Sequence, residues 1–61
     1  KNVKKMLLSN IKAETAAIAD YMSAASKVAN KSLSDLLVRI AEDEMLHKKA
    51  LEMALYNLID M

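Results

Sequence analysis

The apolar positions of the chain fall into two periodic runs with one short break between them. In the first half Val3, Leu7, Ile11, Ile18, Tyr21, Ala25 and Val28 keep to steps of three and four, with Glu14 filling the one gap. In the second half Leu33, Leu37, Ile40, Leu51, Leu55 and Leu58 do the same, with Glu44 and His47 in the gap. Each series is the spacing of one helical face. The break is Asn30-Lys31-Ser32. Asn30 reads as a helix terminator. Ser32-Leu33-Ser34-Asp35 reads as a capping box, with Ser32 at the N-cap and Asp35 at N3. The pattern predicts one all-α domain: helix over about 2–29, loop over about 30–32, helix over about 33–60. A loop that short makes the helices antiparallel neighbours, a two-helix hairpin roughly 42 Å long. Leu8, Met22, Leu36, Leu46, Met53 and Ile59 widen the apolar stripe beyond what one partner helix covers.

Composition sharpens this picture. The 61 residues include no Gly, Pro, Cys, Trp or Phe. Without Gly or Pro there is little punctuation for hairpins or bulged strands. Ten Ala, nine Leu, eight Lys and five Met are strong helix formers. The missing Cys excludes disulfides, thiolate catalysis and cysteine-ligated metals. The missing Gly excludes glycine-rich phosphate loops. A net charge of +1 offers no footprint for nucleic acid. Apolar runs are too short for a membrane span and no signal-peptide pattern stands out, so the expected setting is cytoplasmic. The opening on Lys1 reads as a fragment or a processed form. Lys1, Lys4 and Lys5 oppose the dipole of the first helix and are expected to fray its start. Glu42, Asp43, Lys48, Lys49 and Glu52 read as a solvated face, and the five Met as core fillers. A chain this short with only two aromatics needs a staple, either a metal or a second chain.

The interruptions of the two seams carry the chemistry. A carboxylate in an apolar seam must be paired, hydrogen-bonded or metal-bound. Glu14 lies nearly as far before the break as Glu44 and His47 lie after it, so the hairpin brings all three to one level. They make half a coordination sphere for two metals. Two hairpins packed as a four-helix bundle would supply four carboxylates and two imidazoles. That is the di-metal recipe of a Glu from each of two helices and a Glu-x-x-His from each of the others. Such ligands suit two Fe(II) per dimer, with Mn or Zn as alternatives.

The segments Ala13-Glu14-Thr15-Ala16-Ala17-Ile18-Ala19-Asp20-Tyr21 and Ile40-Ala41-Glu42-Asp43-Glu44-Met45-Leu46-His47 resemble the paired helix motifs of the ferritin-like di-iron proteins. The chain looks most like encapsulated ferritins and one half of a rubrerythrin-type bundle. The resemblance implies Glu14, Glu44 and His47 as iron ligands and Tyr21 as the tyrosine near the site. It implies oxidation of Fe(II) by dioxygen or peroxide at a site completed by a homodimer, with assembly into higher homo-oligomers. Ala13 and Ala16 stand where encapsulated ferritins carry extra acids, and the Cys pairs of a rubredoxin-like module are missing. An encapsulating shell as partner finds no support in the residues. The alternatives are a structural metal site without turnover and a metal-free oligomerisation hairpin, its polar seam residues fixing register.

Overall fold

The computed structural model describes the backbone of residues 2–60 and the side chains of residues 2–58. Lys1, the side chains of Ile59 and Asp60, and Met61 lie outside the described residues. The fold is all-α: helix α1 spans Val3–Lys27 and helix α2 spans Lys31–Asp60. They pack along their lengths as a hairpin with extents of 47 × 14 × 13 Å.

Two asparagine side chains cap the helix starts, and the second stands two residues before the expected cap. Asn2 is extended, and its Oδ1 accepts the Lys5 backbone N–H at 2.9 Å. This N-cap satisfies one of the free N–H groups of the first turn. Lys4 and Lys5 lie in the first turn that this cap closes. At the other end Val28 is already extended, at φ −90° and ψ 139°, so α1 stops at Lys27 and not near residue 29. The second helix starts two residues earlier than the capping box suggests. Asn30, not Ser32, is the cap: its Oδ1 accepts the Leu33 N–H at 2.9 Å, and its carbonyl accepts the Ser34 N–H. Asn is at least as good an N-cap as Ser, and starting there draws Lys31 and Ser32 into the helix. Asp35 then pairs with Lys31 across one exposed turn, at 3.4 Å, instead of closing a capping box.

Ser34 ties the two helices together. Its hydroxyl donates to the Ala25 carbonyl at 2.8 Å, filling one of the carbonyls that the end of α1 leaves without a helical partner. The turn is built without any positive-φ residue among those described, which suits a chain lacking Gly.

The core is thin. Leu7, Ala25 and Ala41 are the buried apolar residues among those described. Ile11, Ile18, Tyr21 and Val28 on α1, and Leu37, Ile40, Leu51 and Leu55 on α2, are half-buried. Val3, Leu33, His47 and Leu58, expected in the seams, are exposed in the hairpin. The inward line of α2 runs instead through Ser34, Leu37, Val38, Ala41, Glu44, Lys48, Leu51 and Leu55. Lys48 is thus half-buried rather than on a solvated face. A lysine can lay its aliphatic stem along an apolar contact while its ammonium reaches water. Large apolar side chains remain exposed along both flanks, among them Met6, Leu8, Met22, Leu36, Met45 and Tyr56. Neither described helix is long and apolar enough to cross a membrane.

Candidate metal centre

Midway along the hairpin, α1 contributes Glu14 and α2 contributes Glu44 and His47. One ligand atom from each lies within 4.8 Å of the others. His47 Nδ1 is 3.6 Å from Glu44 Oε1, one helical turn away. The two carboxylates are half-buried, while the His47 side chain is 65% exposed. The sequence places all three residues at one level, and the structure brings them together. It also shows that His47 sits on the flank of the contact line and not within it.

The electrostatics of the cluster follow from the close approach of two carboxylates. A hydrogen bond with Glu44 raises the Glu14 pKa above its ordinary 4.5, and desolvation and the Glu44 charge push it the same way. His47 acts in the opposite direction. Two carboxylates this close resist double ionisation. A divalent cation would relieve that repulsion. Two carboxylates and an imidazole are a donor set that fits Fe(II), Mn(II) or Zn(II).

Beside the cluster lies an open groove of about 420 Å³ lined by Asn10, Ala13, Glu14, His47, Ala50 and Leu51. Asn10, Ala13 and Ala50 carry no signal as site residues in the sequence. Only the packing of α1 on α2 shows that their short side chains leave space next to the ligands. Tyr21 is half-buried two turns from Glu14 and belongs to neither the cluster nor the groove lining. A second depression, of about 360 Å³, runs along α2 past Ser32, Asp35 and Arg39. It is built by one helix and contains no three-residue ligand cluster among the described residues.

Compared with known proteins, the chain matches no family model, no curated protein and no solved structure.

Proposed function

We propose that the chain is half of a di-metal carboxylate protein that self-pairs and oxidises Fe(II). The observation that carries this reading is the placement of Glu14, Glu44 and His47: converged within 4.8 Å, beside a groove that opens on an uncovered apolar flank. One hairpin offers three ligands, too few for two ions. A second copy on the same flank doubles the set to four carboxylates and two imidazoles.

Surface area supports self-pairing. A compact 6.8 kDa protein exposes about 4,000 Å², whereas the hairpin exposes 4824 Å². The excess is on the order of the 800 Å² that each partner buries in a standard interface.

With Fe(II) as substrate, the paired ions supply two electrons, enough to take one dioxygen and two protons to hydrogen peroxide. The chain's own residues would hold the ions at fixed separation, balance two divalent charges with four carboxylates, and orient the imidazoles through the Glu44–His47 turn. The small groove residues would leave room for the oxidant. The ferritin-like resemblance of the two helix motifs agrees with this assignment. It also leaves Tyr21 as a residue able to donate an electron or a hydrogen bond from two turns away.

Anaerobic Fe(II) titration tests the reading when combined with solution mass. The expected result is saturation at two irons per dimer, followed by oxygen consumption and transient Fe(III) absorbance on admitting air. Absence of binding removes the reading. Binding of Fe(II), Mn(II) or Zn(II) without oxygen consumption leaves a structural metal site. The meeting of Glu14 with Glu44 across the helix contact favours one further alternative, a metal-free module in which that pair fixes register. Solution mass unchanged by metal, with no metal bound, would select it.

A further inference from the structure

We infer that Asn10 is a positioning residue of the metal centre: its carboxamide donates to the Glu14 carboxylate and holds it in the orientation that binds a divalent cation. This rests on the metal reading above and adds a residue that binds no metal itself.

Helix geometry gives the first argument. Side chains on one helix face meet at separations of three and four residues. For Glu14 those neighbours are Asn10, Ile11, Ala17 and Ile18, so Asn10 is the one polar neighbour that α1 offers it. A long helical side chain leans back over the turn N-terminal to its own Cα. Glu14 therefore projects toward the turn that holds Asn10 and away from Ile18.

The groove gives the second argument, and it singles out Asn10 where spacing alone does not. Asn10 lines the groove together with Glu14 and His47, so its side chain borders the same space as two of the ligands. The other lining residues, Ala13, Ala50 and Leu51, bring no polar side-chain atom. Asn10 is exposed, and its carboxamide enters none of the side-chain hydrogen bonds among the described residues.

The chemistry of the donor defines the role. A carboxylate presents about four lone-pair positions on its two oxygens. A cation held by Glu14, Glu44 and His47 takes only part of those on Glu14, and the rest need donors. An amide N–H supplies one without charge. It orients the carboxylate and leaves the charge of the ligand set unchanged, whereas a lysine there would compete with the cation. Outer partners of this kind fix ligand orientation and are worth roughly 10- to 100-fold in metal affinity.

Mn(II) titration of the full chain, followed by electron paramagnetic resonance, tests the assignment. Asn10→Ala should weaken Mn(II) binding by about 10- to 100-fold at unchanged stoichiometry. In the metal-free protein the same substitution should keep or raise the melting temperature, because Ala is the better helix former. A merely structural Asn10 would move melting and not affinity. Asn10→Leu keeps the bulk without the donors and should weaken binding as Asn10→Ala does, while Asn10→Gln should recover part of the loss. Full affinity in Asn10→Ala or in Asn10→Leu overturns the inference and leaves the metal centre standing. A loss as deep as that of His47→Ala also overturns it, by making Asn10 a ligand. Failure of the unsubstituted chain to bind Mn(II) removes the metal centre and this inference with it.

Discussion

The turn and the middle of this hairpin solve the same problem with different means. At the turn, two polar side chains meet partners in their own chain: Asn30 caps α2, and the Ser34 hydroxyl donates to the Ala25 carbonyl. Midway along, Glu14 meets Glu44 and His47, and the contact with Glu44 raises its pKa. His47 stays largely in solvent. The turn is closed by hydrogen bonds within one chain, while the middle gathers two carboxylates and an imidazole, and it is there that we propose a metal and a second copy.

The sharpest way to break this comparison is to remove a ligand. His47→Ala or Glu44→Ala should weaken Mn(II) or Fe(II) binding beyond the roughly 10- to 100-fold that losing a ligand's outer hydrogen-bond partner costs. Lys48→Ala, one residue along the helix, should leave metal affinity nearly unchanged in the same titration. If Lys48→Ala matters as much as His47→Ala, the half-buried lysine belongs to the site and the assignment of faces fails.

Between the two regions lies Ala41, fully buried. Ala41→Leu forces the helices apart and should destabilise the fold by about 1–3 kcal/mol in denaturant unfolding. A neutral result would mean that the contact line relaxes easily. At the turn, Asn30→Ala should cost about 1 kcal/mol, and Ser34→Ala about 1 kcal/mol, with metal affinity kept. Loss of metal binding in either variant would show that the two regions are not separable.

The pH response should divide them too. Because the Glu14 pKa is raised in the folded state, the metal-free protein binds that proton more tightly folded than unfolded. This contribution to stability is present below the ordinary pKa of 4.5 and is lost as pH rises through the raised value. Melting curves of the metal-free protein should show that loss, and Glu14→Gln should flatten it. Saturating Mn(II) should reverse the trend, since the ligands bind metal only when deprotonated. The smallest effect is expected at the exposed Lys31–Asp35 pair, where Asp35→Ala should change stability by no more than about 0.5 kcal/mol.

Much of the fold is legible in the residues because helical periodicity is local. The steps of Leu7, Ile11 and Ile18, and of Leu37, Ile40 and Leu51, require only the geometry of one helix. The same geometry, counted outward from the break, sets Glu14 level with Glu44 and His47. The cap was misplaced because Asn30 and Ser32 are both good N-caps two residues apart, and local preference does not separate them. The hydrogen bond from Ser34 to Ala25 closes the turn and favours the earlier start.

The sequence alone determined two helices, one break and three polar groups at a common height. Tertiary structure decided which residues around each helix face inward, because that depends on how α1 and α2 rotate against each other. The rotation buries Ala41, half-buries Lys48, leaves His47 on the flank, and opens the groove between Ala13 and Ala50. Periodicity fixes a stripe on a helix, but only the packing of two such stripes fixes its centre, and the open side of this one lies beside the ligands.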